Sequence, residues 1–375
     1  MPPHMTSVKR RSAAAGRWPN LHQYLLREVY AMLESPVDRI RLAAACKSWR
    51  TFASTNARPV YPWLLLHPSR HDKTKRTRCY CPEKGTVLPY APLPLVGRSI
   101  VGCYDGGWVA WYDDELGIIN LFTGVKVDLS AKQRRKLRIQ YTTENTRKII
   151  FSSPPTSNSC MLAAITSTDD IAVCRLSHPE AGWSTRKYFQ DRKIMDIAFY
   201  GGELYGLTRY SGRLTKINIS VNKRGTLVLG TVVLAAIPNP YPETRFLEYD
   251  SWYIVALPDK LVLVTSDFDR RPSFTVFELV DEACSGMTNS TGKWVETTSL
   301  GDHALFLGAT GSKAVHVVPG GHGGVRRNAI YYHHHSFSYY REEEIVRGNF
   351  DGIMSVGYHT YGADKPPLWL LPPDM

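Results

Sequence analysis

Residues 194–234 read IMDIAFYGGELYGLTRYSGRLTKINISVNKRGTLVLGTVVL. Four runs rich in Ile, Val, Leu, Tyr and Phe stand between turn residues, at 194–200, 203–208, 213–219 and 226–234. Short β-branched and aromatic runs bounded by Gly, Asn and Ser predict consecutive strands.

The same motif, turn residues followed by an apolar strand, recurs along the chain. It is found as Asp105-Gly-Gly-Trp-Val-Ala-Trp111, Asn158-Ser-Cys-Met-Leu-Ala-Ala164, Gly201-Gly-Glu-Leu-Tyr-Gly-Leu-Thr208, Asp259-Lys-Leu-Val-Leu-Val-Thr265 and Gly301-Asp-His-Ala-Leu-Phe-Leu-Gly308. The intervals are roughly 40 to 60 residues, the range of propeller blades. Each interval has room for three or four strands, and a ring of such sheets hides its edges by closure. The expected fold is mainly β, a β-propeller of five or six blades. A pair of β-sandwiches is the rival, and the recurring interval argues against it. Residues 328–333 are expected in the last blade. Leu368-Trp369-Leu370-Leu371 is expected to close the ring with the first strands.

Upstream, the periodicity is helical. Leu21, Tyr24, Leu25, Val29, Met32 and Leu33 recur at three or four residues and predict one amphipathic helix face. Pro36 ends that helix, and Asp38 is expected to cap the next one. Ile40, Leu42, Ala45, Cys46, Trp49, Phe52 and Ala53 supply the following apolar positions. So few helical residues bury little surface alone. Some of the leucines are therefore expected to await a partner, the bland alternative being a cap packed on its own chain. The layout expected is a basic tail over 1–17, a helical module over 18–58 and a propeller over 59–375.

The 375 residues are 43% hydrophobic, yet no apolar run reaches the ~18 residues of a membrane helix. Seven cysteines, an odd number without zinc-site spacing, read as free thiols in a reducing compartment, the cytoplasm or nucleus. Residues 1–27 hold no Asp or Glu, which leaves an organelle transit peptide as the alternative. The net charge of +12 sits in short clusters at Lys9–Arg11, Lys73–Arg78 and Lys132–Arg138. No aromatic residues interleave them as a single-strand stacking platform requires, so they read as solvated and not as a nucleic-acid site.

Two resemblances sharpen the reading. Trp18-x-x-Leu21-x-x-x-Leu25-Leu26-x-x-Val29-x-x-x-Leu33, Ser35-Pro36-Val37-Asp38-x-Ile40 and Cys46-Lys47-Ser48-Trp49-Arg50 together resemble an F-box. The F-box is the helical motif by which ubiquitin-ligase receptors dock on a Skp-type adaptor, and through it a cullin. The resemblance implies Leu21, Leu25, Leu26, Val29, Ile40 and Leu42 as adaptor contacts, with Cys46 and Trp49 in the core. It departs at His22, where the family usually has proline.

Further on, Pro59-x-x-Pro62-Trp63-Leu64-Leu65-Leu66, Val101-Gly102-x-x-x-Gly106-Gly107-Trp108 and Ile119-Asn120-x-x-Thr123-Gly124 are similar to plant KIB-type F-box proteins. So are Leu204-Tyr205-x-Leu207, Ser299-Leu300-Gly301-Asp302-x-x-Leu305-Phe306, Asn328-x-Ile330-Tyr331-Tyr332 and Pro367-x-Trp369. This implies a propeller that binds a protein substrate, in an SCF-type ubiquitin ligase or, with a degenerate F-box, outside one.

No motif demands catalysis, a cofactor or a metal. The glycine-rich run at 320–324 lacks the Lys-Ser/Thr ending of a phosphate loop. His333-His334-His335 would place only two imidazoles on one strand face, where zinc wants three or four ligands.

Overall fold

In the computed structural model the chain divides into residues 1–60 with 373–375, and residues 61–372. The structure describes residues 20–33, 36–56, 60–66, 78–88, 99–112, 115–135, 148–166, 168, 170–186, 194–208, 213–223, 226–235, 251–267, 273–281, 292–319, 324–336, 344–350, 352–361 and 367–373. The basic tail, the basic cluster at 73–77 and the glycine run at 320–323 lie outside them.

The first unit contains helices α1 (Gln23–Met32), α2 (Pro36–Ala45) and α3 (Lys47–Thr55). Leu26, Tyr30, Leu42, Ala43, Phe52 and Ala53 form its core, with Leu21, Val29, Leu33 and Trp49 packed against it. The Tyr30 and Phe52 rings meet edge to face, centroids 5.9 Å apart. Two expectations are corrected. Asp38 does not cap α2, which starts at Pro36; it lies in the first turn and pairs with Arg41 at 3.0 Å. Proline suits a first helical position because its missing N–H would be unbonded there. The buried stripe of α1 is centred on Leu26 and Tyr30; of the expected face Leu21, Val29 and Leu33 pack beside it, while Tyr24, Leu25 and Met32 are exposed. Apolar residues cover more of α1 than its partners can, so two faces compete and one is left out.

The second unit is a β-propeller. Its first sheet holds β1 (Trp63–Leu66), β2 (Arg78–Cys81) and β3 (Thr86–Leu88); β4 (Ser99–Tyr104), β5 (Trp108–Tyr112) and β6 (Leu116–Asn120) form the next. After the one-turn helix α4 (Ala131–Arg134) come three four-stranded meanders. They are β7 (Lys148–Phe151) to β10 (Trp183–Arg186), β11 (Ile194–Tyr200) to β14 (Leu227–Ala235), and β15 (Ser251–Ala256) to β18 (Gly292–Glu296). Within them lie β8 (Met161–Ile165), β9 (Ile171–Arg175), β12 (Glu203–Thr208), β13 (Leu214–Val221), β16 (Leu261–Asp267) and β17 (Ser273–Asp281). The last sheet takes β19 (His303–Leu307), β20 (Lys313–His316), β21 (Ala329–Ser336), β22 (Glu344–Phe350) and β23 (Ile353–Tyr361). Finally β24 (Leu368–Leu370) returns to pair with β1, Leu64 opposite Trp369.

Among the described residues, five sheets are wholly antiparallel. The sixth runs β20-β19-β21-β23-β22 and includes two parallel pairs. The three histidines lie on β21, which has a strand on either side.

Alternation along each strand explains the ring. Leu162 and Ala164 of β8 join a core cluster with the β4–β6 sheet, while Ala163 and Ile165 join one with the β11–β14 sheet. Leu261 and Leu263 of β16 face one neighbour, Val262 and Val264 the other. Ala304 and Phe306 of β19 pack with β1 and β24, Leu305 and Leu307 with the β15–β18 sheet. A sheet buried on both faces has continuous apolar strands.

Two asparagines of the motifs noted in the sequence, Asn120 and Asn328, are corners. Asn120 donates to the Gly106 carbonyl at 2.8 Å and accepts the Phe122 and Thr123 amides, each at 3.0 Å. Asn328 adopts φ +52° and ties the Leu300 amide (2.7 Å) to the Gly352 carbonyl (3.0 Å). At Gly102 a Cβ would overlap the Ile149 carbonyl, so only glycine lets β4 approach β7 there.

Six cysteines lie among the described residues, all as free thiols. Burial pushes the Cys79 and Cys174 thiols up to about 12, which suppresses their thiolates at neutral pH. Trp369 is 1% exposed and donates its indole N–H to the Leu307 carbonyl at 2.9 Å. Trp369→Ala should lower stability by about 3–5 kcal/mol, read by denaturant unfolding of the full chain.

Candidate functional site

The helical unit presents one candidate surface. Of the six expected contact residues, Leu26 and Leu42 are 2% and 6% exposed and lie in the unit's own core. Leu21, Val29 and Ile40 are half-buried. Leu25 is 50% exposed, beside Tyr24 at 63% and Met32 at 71%. Tyr24 and Met32 were on the apolar helix face in the sequence but were not among the expected contacts. Their spacing from Leu25 and Glu28 is what marks the second face. At the start of α1, His22 accepts the Tyr24 amide on Nδ1 at 3.2 Å, so the residue standing in place of proline caps the helix.

The propeller presents the other. A cavity of about 240 Å³ is lined by residues of five sheets, among them Cys103, Lys148, Ile197, Ile254 and Lys313, and by Leu371, just after β24 of the sixth. It is the central channel. One lining residue, Lys148, forms a buried ion pair with Asp196, each side chain 4% exposed. A bulge at Met195 shifts the β11 register between Ile194 and Asp196. The Asp196 carboxylate takes the Lys148 ammonium from β7, its neighbour's Ile197 amide at 2.8 Å and the Ile254 amide of β15 at 2.9 Å. One carboxylate thus bonds three adjacent sheets.

A second group lies opposite. Lys313 of β20 pairs with Asp105 in the β4–β5 turn and sits 5.9 Å from the Tyr104 ring centroid. Burial lowers the Lys313 ammonium pKa, with Cys103 opposing. Burial raises the Cys103 thiol, with Lys313 and Lys148 opposing, and that thiol donates to the Trp369 carbonyl at 3.1 Å.

The described part of the basic run at 132–138 is engaged elsewhere: Lys132 pairs with Glu180 at 3.4 Å and Arg134 with Asp128 at 3.4 Å. Among the described residues no group of histidines, cysteines and acids is arranged to hold a metal, and no helix is long and apolar enough to cross a membrane.

A family model described as the KIB1-4 beta-propeller matches residues 66–353. The chain belongs to this family. The KIB1-4 match begins at the last residue of β1 and ends at the first of β23, so the β1–β24 pairing that closes the ring falls almost entirely outside it. An F-box protein of Arabidopsis thaliana is 30% identical over 149 residues, 39% of this chain and 35% of that one. The chain thus spans about a third of the length of that curated relative. Among solved structures, a quinoprotein alcohol dehydrogenase-like protein of Bacteroides thetaiotaomicron has a TM-score of 0.33 at 9% identity, over 64% of this chain and 51% of that one. PorZ, a surface component of the type-IX secretion system of Porphyromonas gingivalis, has 0.28 at 10% identity, over 66% and 33%. Likenesses this low carry no argument about what the KIB1-4 propeller does.

Removing one partner of a buried pair leaves the other charge uncompensated. Asp196→Asn should therefore cost about 3–5 kcal/mol of stability, and Lys148→Met in the same chain should recover part of it. Urea unfolding of the two variants checks this.

Proposed function

We propose that this chain is the substrate-recognition subunit of an SCF-type ubiquitin ligase. The helical unit docks a Skp-type adaptor, and through it a cullin, while the propeller binds a protein target. The observation that carries this reading is the exposed apolar face of α1, Tyr24, Leu25 and Met32, on a chain whose second unit is a KIB1-4 propeller. The relative named as an F-box protein supports it. Exposed leucines and aromatics are expensive to leave in water, and burying one fully contributes ~1.5–3 kcal/mol.

The mechanism is positional. The chain does no bond chemistry; it holds a target where a separate catalytic subunit transfers ubiquitin to it. Cytoplasm and nucleus are the compartments this role requires. The second reading, a propeller with a degenerate F-box acting outside a ligase, rests on His22 in place of proline.

The test is co-purification of the full chain with a plant Skp-type adaptor. Leu25→Ala with Met32→Ala should weaken capture about tenfold or more while leaving the thermal midpoint nearly unchanged, because both side chains are exposed. Leu26→Ala should instead loosen the helical unit itself. Failure of the folded wild-type chain to bind the adaptor would favour the second reading.

A further inference from the structure

The outer edge of the β11–β14 sheet is unlike the other edges. Ile197, Ala198 and Phe199 of β11 line the central cavity, so β14 is the rim strand, and no described strand pairs with its far side. At nine residues it is the longest strand at a sheet end among those described. Edge strands are normally kept from pairing by shortness, charge, proline or a bulge. Residues 227–235 hold no charge and no proline, and the register shift falls at the end of the strand, between Val233 and Ala235. Val228, Val232 and Val233 are 45%, 42% and 55% exposed.

The hydrogen bonds fix which backbone groups face out. The Thr226 carbonyl accepts the Asn222 amide and the Val228 carbonyl accepts the Ser220 hydroxyl, so even-numbered residues turn to β13. The Leu229 carbonyl instead accepts the Arg186 guanidinium of β10. Thr231 is in phase with Leu229 and presents its N–H and C=O outward.

The surroundings are basic. Residues 204–242 hold five Arg or Lys and no Asp or Glu. The two acids of the sheet are engaged, Asp196 in the buried pair and Glu203 with Lys216 at 3.1 Å. Arg213 and Lys223, near the two ends of β14, are exposed with no acidic partner among the described residues. Two copies of this edge would repel each other, whereas an acidic strand would be drawn in.

We propose that the outer edge of β14 takes up an extended acidic segment with apolar residues at alternate positions, as one more strand of the sheet. Thr231 bonds its backbone, Val228 and Val232 pack on its apolar side, and Arg213 and Lys223 attract its carboxylates. This rests on the reading of the propeller as the target-binding unit, and not on adaptor docking.

The probe is a fluorescein-labelled peptide of alternating glutamate and valine, with a lysine and valine counterpart, followed by anisotropy with the full chain. The acidic peptide should bind saturably and the basic one about tenfold more weakly or worse. Thr231→Pro removes an outward N–H without touching the β13 ladder. It should weaken binding about tenfold and leave the thermal midpoint nearly unchanged. Val228→Thr with Val232→Thr should weaken it several-fold, and Arg213→Gln with Lys223→Gln should flatten its salt dependence. If Thr231→Pro does not fold, the two double variants decide. Absence of saturable binding, equal binding of the two peptides, or unchanged binding by the folded variants overturns the proposal. So does a wild-type dimer in sedimentation that Thr231→Pro dissolves, which would make the edge a self-association site. No variant touches the helical unit, so failure here leaves adaptor capture as it was, and failed capture leaves the peptide result standing.

Discussion

Each sheet of the propeller has to bury both of its faces. A single β-sheet in water can hide one face against its own turns or helices, but Leu261 to Val264 point alternately to two neighbours, and so do Ala304 to Leu307. With nothing but sheets to pack on, the arrangement that leaves no naked face is a closed ring. The channel then follows, because inner strands converge without filling the axis. The Lys148–Asp196 pair follows as well. A polar group forced toward the axis needs partners from adjacent sheets, and the Met195 bulge supplies the turn of the backbone that brings Asp196 to all three.

Much of this was legible in the chain. The strands expected at 194–200 and 203–208 have those boundaries, and the next two are displaced by one or two residues. Leu368 to Leu370 pair with the first strand as the sequence implied. Five or six blades was as far as the spacing reached. The last sheet defeats it, since its parallel neighbours break the rule that consecutive strands lie side by side.

The sites were less legible, for physical reasons. Leu25 and Leu26 are adjacent and chemically identical, yet one is half in solvent and the other is buried. A hundred degrees of helix rotation separates them, and which lies inward depends on where α2 and α3 pack. Lys148 and Asp196 are 48 residues apart, and nothing in either local stretch signals the other. The asparagines were the reverse case. Asn120 and Asn328 stood out as shared motif residues and prove to be hydrogen-bonding corners of the scaffold.

The pairing of β24 with β1 sets the order of events during synthesis. Trp63 to Leu65 leave the ribosome some 300 residues before Leu368 to Leu370, and until then the first sheet lacks its innermost strand. Early sheets must wait with an apolar edge open, which exposes the nascent chain to chaperones and to mispairing. Loss of Leu368 to Leu370 would take away the strand that pairs with β1 and closes the ring. Phe306, Tyr331 and Tyr358 share one core cluster with Trp369, so the aromatic residues of the last sheet lose part of their cover until that strand arrives.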